Sequence, residues 1–214
     1  MPNGSRVPAW ADPTNPTGVS GRFRAARWRR MLQTFPDLAE LRVLDLGGTV
    51  AAWDAAPVRP AQLVVVNLDR QPTAPHTRSM VLDACEWEPT DDIDLVVSNS
   101  LIEHVGGFER RRRLAHVVRA AAPRYWVQTP YRYFPVEPHW VFPGFQFLPL
   151  SAKVFVTRHW RRGHIYEADP DRALQECLMV ELVSATEMRA LFPDGEVWFE
   201  RAAGLPKSLV AVRT

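Results

Sequence analysis

Apolar residues fall along this chain in short, nearly unbroken runs, each closed by glycine, proline or a polar residue. LRVLDL (41–46), QLVVVNL (62–68), a short SMVL (79–82), IDLVVS (93–98) and YWVQ (125–128) read as strands. Runs of this kind are expected where a sheet is covered on both faces. Segments with helical spacing lie between them. GRFRAARWRRML (21–32) turns Phe23, Ala26, Trp28 and Met31 inward from a basic helix, and 108–122 forms a helix with Arg110 to Arg113 on its exposed side. SATEMRAL (184–191) opens on Ser184 with Glu187 three residues later, a capping-box pattern. Strands at 197–201 and 208–213 close the chain. This alternation predicts an α/β protein with a largely parallel sheet.

The rhythm breaks over 129–181. Tyr131, Tyr133, Phe134, Trp140, Phe142, Phe145 and Phe147 crowd one stretch, and Pro130, Pro135, Pro138, Pro143 and Pro149 keep it out of regular helix. A long irregular segment after a strand of an α/β sheet commonly carries function. We expect a substrate-binding lid here, one that also packs a small core of its own. Residues 1–20, rich in proline and glycine, are expected to be an irregular lead. The whole of 1–214 is expected to be one domain.

Composition narrows the class. Net charge is only +2, which argues against nucleic acid as the partner. The two cysteines, Cys85 and Cys177, match neither a disulfide scaffold nor a zinc motif. No apolar run suits a leader or a membrane span, so the expectation is a cytoplasmic protein with a small-molecule substrate. Of 26 basic residues only Lys153 and Lys207 are lysine; the arginine excess is read as compositional. Nothing in the sequence speaks to oligomeric state.

The most informative local feature is VLDLGGT (43–49), a strand running into Gly47-Gly48, where the backbone can turn tightly and approach a ligand. Asp69 follows at the end of the second strand, placed to accept hydrogen bonds from a ribose diol. Neither the dinucleotide G-x-G-x-x-G nor a phosphate-cradling lysine loop occurs. With LDACEW (82–87) and DIDLVVSNSLIEHV (92–105), these motifs resemble, in order, those of class I S-adenosylmethionine-dependent methyltransferases, over roughly 41–214. The resemblance implies a Rossmann-like sheet of seven strands, the last antiparallel. It also implies S-adenosyl-L-methionine as cofactor. Asp45, Gly47 and Gly48 would line its methionine portion, Asp69 its ribose, Asp83 and Ala84 its adenine, and Ser98 the transferred methyl. The usual D-x-G-x-G-x-G is altered, with Thr49 and Ala51 in place of two glycines.

Methyl transfer to a hydroxyl needs alignment and help in removing a proton. Glu103-His104 after the fourth strand and Glu137-Pro138-His139 after the fifth should converge, because those strands should be neighbours. SLIEHV followed by the Pro138-His139 segment is similar to a pattern in two metal-dependent O-methyltransferase groups. One methylates the terminal ribose of small RNAs and the other acts on catechol-like quinone precursors. That resemblance implies Glu103, His104 and His139 as ligands of Mg2+ or another divalent cation. Ser100 stands where a further glutamate is expected, a place Glu137 could fill. His139 as a metal-free general base, with Glu137 and His104 beside it, is the competing reading, and a packing role for His104 is a third. His159 and His164 read as part of a basic loop.

QTPYRYFPVEPHW (128–140) is similar to enzymes that O-methylate sugars of bacterial polysaccharides. The resulting expectation is an O-methyltransferase acting on a saccharide or other small polyol. The alternatives are an RNA ribose or catechol-type acceptor, and a cofactor-binding module without catalysis.

Overall fold

The apolar runs become strands β1 (Arg42–Leu46), β2 (Gln62–Asn67), β3 (Thr77–Val81), β4 (Leu95–Asn99) and β5 (Arg124–Pro130). A two-residue hairpin, β6 (Val136–Glu137) and β7 (Phe142–Pro143), precedes β8 (Glu196–Ala202) and β9 (Leu205–Arg213). The helices are α1 (Val19–Thr34), α2 (Val50–Asp54), α3 (Phe108–Ala121), α4 (Leu150–His159), α5 (Pro170–Met179) and α6 (Ala185–Leu191). The structure is a computed structural model and describes residues 8, 18–88 and 92–214. The expected irregular lead thus lies almost entirely outside the described residues, and its last two positions already belong to α1.

One sheet of seven strands runs in the order β3-β2-β1-β4-β5-β9-β8. β1 to β5 pair in parallel, and β9 is antiparallel to both its neighbours. Alternate residues of each strand enter opposite cores, as a pleat requires. Leu44, Val66, Val96 and Val127 pack under Leu114 and Val118 of α3 and Met188 of α6. Val43, Val65, Val97 and Trp126 pack under Met31 of α1 and Val50 and Trp53 of α2. Burial on both faces is the physical reason the strands read as continuous apolar runs. Among the described residues, no helix is long and apolar enough to cross a membrane.

Two expectations about helices need correction. The segment 129–181 is without α-helix only to Pro149; α4 and α5 then form, α5 with Pro170 in its first turn and Asp169 as its cap. This segment does carry a small core, Trp140 stacked on Phe145 at 4.0 Å between ring centres, with Cys177 of α5 beside them. Nor do Arg110 to Arg113 share an exposed face. Arg111 is buried and ion-pairs with Glu181 and with Glu187 at 2.7 Å, while Arg110 turns to Asp83 and to the Val105 carbonyl. Only Arg112 and Arg113 are exposed. The Ser184 cap is present, its hydroxyl accepting from the Glu187 backbone, but Glu187's own carboxylate serves Arg111 instead of closing the box.

Candidate active site

The glycine loop follows β1, at the carboxyl end of the parallel strands, where open α/β sheets bind ligands. Asp45, the one acid of β1, is buried; its Oδ2 accepts from the indole N–H of Trp53 at 2.7 Å and its Oδ1 has no partner among the described residues. Burial pushes this carboxyl up to about 7, the indole only partly offsetting it. A Cβ on Gly48 would sit 1.6 Å from Asp45 Oδ2, so only glycine fits there. Gly47 has φ +79° and its N–H donates to the Val66 carbonyl at 2.8 Å. Asn67 holds the loop from β2, its amide donating to the Gly48 carbonyl at 2.8 Å. Thr49 is extended, at φ −131°, and caps α2 by accepting from the Ala52 N–H. Threonine in a glycine's usual place is thus accommodated as a helix cap.

Past β4, Ser100 adopts φ +53°, and Glu103 and His104 follow within one turn of chain. Glu103 is fully buried. Its Oε2 accepts from the Thr129 hydroxyl at 2.9 Å and its Oε1 is unpartnered among the described residues. From the other side, the β6–β7 hairpin brings in His139, whose Nε2 lies 3.1 Å from His104 Nε2. Glu137 supports it from behind: Oε1 meets His139 Nδ1 at 2.7 Å, and Oε2 accepts from the backbone N–H of His139 and of Trp140. Because an ionised carboxylate only accepts, Nδ1 donates there, which fixes how the ring is held. Burial and the neighbouring His139 push His104 down to about 4, so it is neutral. Burial raises Glu103, whereas for His139 burial is outweighed by the bond to Glu137 together with the charges of Glu137 and Glu103, which raise it. Among the described residues, Glu103, His104 and His139 form one group whose ligand atoms all lie within 4.8 Å of one another.

Comparison with known proteins fixes the architecture. No family model matches the chain, and no curated protein matches it. Solved structures do. N-methyltransferase NodS from Bradyrhizobium japonicum WM9 superposes over 94% of this chain and 98% of its own at TM-score 0.52 and 11% identity. A Burkholderia thailandensis 1,6-didemethyltoxoflavin-N1-methyltransferase matches over 88% of this chain and 77% of its own, at TM-score 0.53 and 13% identity. A possible exported protein from Bordetella parapertussis matches over 91% of this chain and 68% of its own, at TM-score 0.58 and 16% identity. The fold is that of the class I methyltransferases.

Within that methyltransferase fold, the residues singled out from the sequence divide into two sets. Asp45, Gly47 and Gly48 share the loop after β1, and Asp69 is exposed two residues past β2. Asp83 caps the short turn of helix at Ala84–Glu86, and Ala84 behind it is buried. Burial favours the neutral acid at Asp83, but the Cys85 N–H and Arg110 outweigh it and hold the carboxyl below its usual range. Ser98 is placed differently from expectation. It is fully buried and its hydroxyl donates to the Leu46 carbonyl at 3.1 Å, so it braces β1 from below instead of bordering a cleft.

The second set converges as neighbouring strands predict: Glu103 and His104 come from the end of β4, His139 from the segment after β5. Glu137 does not take the place left by Ser100, since both its oxygens serve His139 and Trp140. Ser100 instead places its hydroxyl 3.3 Å from Gln128 Oε1. The backbone N–H of His164 donates to the His139 carbonyl, while His159 is exposed on α4. Sequence reasoning missed Trp53, Asn67 and Thr129. Each is an ordinary residue in an ordinary element, and only the fold brings it to its partner.

Proposed function

We propose that this protein is an S-adenosylmethionine-dependent methyltransferase that transfers a methyl group to a hydroxyl of a saccharide or similar small polyol. The observation that carries the reading is the convergence of Glu103, His104 and His139 at the carboxyl end of a methyltransferase sheet. In it Asp45, Gly47 and Gly48 would hold the methionine portion of the cofactor, Asp69 the ribose, and Asp83 with Ala84 the adenine. The buried Oδ1 of Asp45, unpartnered among the described residues, suits such a group. When bound, the cofactor supplies an electrophilic methyl on sulfur. The acceptor oxygen gains that methyl, the carbon–sulfur bond breaks with its electrons going to sulfur, and the hydroxyl proton must leave.

Glu103, His104 and His139 suit a divalent cation, two imidazoles and a carboxylate with one oxygen unpartnered among the described residues being a mixed donor set of intermediate hardness. A cation there would supply positive charge that lowers the pKa of an acceptor hydroxyl. Glu137 completes the carboxylate–histidine arrangement that commonly orients a metal-binding imidazole. The same Glu137–His139 bond favours a second reading, in which His139 Nε2 takes the hydroxyl proton directly and Glu137 stabilises the resulting imidazolium. The segment 129–181, with residues 1–214 as one domain, is read as the lid that closes over the acceptor.

Calorimetric titration with S-adenosylhomocysteine tests the class; absence of binding sinks it. Methyl transfer to sugar acceptors with and without chelator separates the two chemistries. Loss of turnover in chelator, restored by Mg2+ or Mn2+, supports the cation. Turnover indifferent to chelator leaves His139 as base.

A further inference from the structure

Between α1 and the ends of β4, β5 and β9 lies a cavity of about 250 Å3. Its wall includes Ser100, Pro138, which precedes His139, and His164, whose backbone N–H donates to the His139 carbonyl, so it lies beside the segment that carries His139. Phe23 and Phe134 supply apolar faces, and the cationic side chains present are Arg24, Arg27 and Lys207.

Among the described residues, the charges of Arg27, Lys207 and Glu200 beside this cavity do not balance. Glu200 of β8 is the buried carboxylate; its Oε2 accepts from Arg27 Nη2 at 3.0 Å and lies 3.6 Å from Lys207 Nζ. Two cations therefore share one carboxylate. Arg27 Nε, though buried, has no partner among the described residues. Lys207 Nζ also stands 4.4 Å from the centre of the Phe23 ring. Burial holds this ammonium below the ordinary lysine range, and Glu200 offsets that only in part. A partly desolvated site with surplus positive charge favours an anion.

We propose that this cavity takes the methyl acceptor and that the acceptor is a small hydroxylated acid. Its carboxylate or phosphate pairs with Lys207 and Arg27 while a hydroxyl turns toward Glu103, His104 and His139. The volume falls just below the usual range for ligand pockets, about 300–1,000 Å3, which suits one ring better than an oligosaccharide. This inference rests on the methyltransferase reading above and names the acceptor class within it.

The test uses the full chain saturated with S-adenosylhomocysteine, so that the cofactor's own carboxylate is already placed. Galacturonate, glucose 6-phosphate and neutral glucose are titrated in turn. At least one anion is expected to bind about tenfold or more tightly than glucose, the scale of one charge-assisted hydrogen bond; the tighter anion identifies the oxyanion. Lys207→Met should remove that preference, Lys207→Arg should retain it, and Glu200→Gln should strengthen it. Unchanged affinity for S-adenosylhomocysteine shows that each variant is folded. Equal binding of the three sugars, no binding of either anion, or indifference to Lys207→Met and Glu200→Gln would overturn the proposal. Failure of S-adenosylhomocysteine itself to bind would instead overturn the reading beneath it.

Discussion

Asp45 and Gly48 compete for one volume: the carboxylate of Asp45 fills the position a side chain on Gly48 would occupy. The loop and the acid beneath it are therefore a single fitted unit. Gly48→Ala must displace either the backbone or Asp45. It is expected to cost about 1–3 kcal/mol, as overpacking does, and to abolish S-adenosylhomocysteine binding. Urea unfolding and calorimetry on the same variant check both; wild-type affinity would disprove the fit.

The elevated carboxyl of Asp45 makes a statement about pH. Below about pH 7 the free protein carries a proton there. If the ammonium of the methionine portion binds nearby, the ionised form is favoured and the bound pKa falls. Binding then releases a proton, so affinity should climb with pH up to about 7, by at most about tenfold per pH unit, and level off above. Calorimetry in buffers of different ionisation enthalpy reads the proton directly, and Asp45→Asn should flatten the profile.

Trp53 sets where that profile turns. Its indole is the one hydrogen bond that favours the charged form of Asp45. Trp53→Phe should raise the carboxyl further and shift the rise in affinity to higher pH. Unfolding should cost about 1.5–3 kcal/mol less, the usual worth of a hydrogen bond to a charged group. A profile identical to wild type would show that another group governs it.

At the histidine cluster the expected hierarchy is sharp. His139→Ala and Glu103→Ala should each lower turnover by at least about a hundredfold while sparing cofactor affinity. Glu137→Gln should weaken Mn2+ binding by about 10–100-fold, the usual effect of losing a carboxylate behind a metal-bound imidazole. Paramagnetic resonance of added Mn2+ measures this without relying on turnover. Unaltered Mn2+ binding in Glu137→Gln would remove its supporting role.

Arg111 is the buried anchor between α3 and the end of the 129–181 segment. Arg111→Met strands Glu187 and frees Glu181, and should cost about 3 kcal/mol in urea unfolding. Much less than that would mean the two glutamates find water.

Much of this was readable in the chain because covered parallel strands leave apolar runs and glycine after β1 leaves a motif. The convergence of Glu103, His104 and His139 followed from strand adjacency alone. What escaped did so for definite reasons. The arginines at 110–113 look alike in sequence, and only the long-range partners Asp83, Glu181 and Glu187 distinguish the inward pair. α4 and α5 hid behind the prolines that precede them, although Asp169-Pro170 is a fair start signal for α5. The Arg27–Glu200 bond joins residues 173 positions apart, beyond any local pattern.

His139 and Trp140 are consecutive, and both backbone N–H groups go to Glu137, while Trp140 is stacked into the small core of the 129–181 segment. Glu103 and His104 belong instead to the rim of the main sheet. The cluster thus draws on two cores, that of the main sheet and the small one around Trp140. Loosening the small core would displace one of the two imidazoles, so affinity for a cation would serve as a gauge of how well Trp140 is packed.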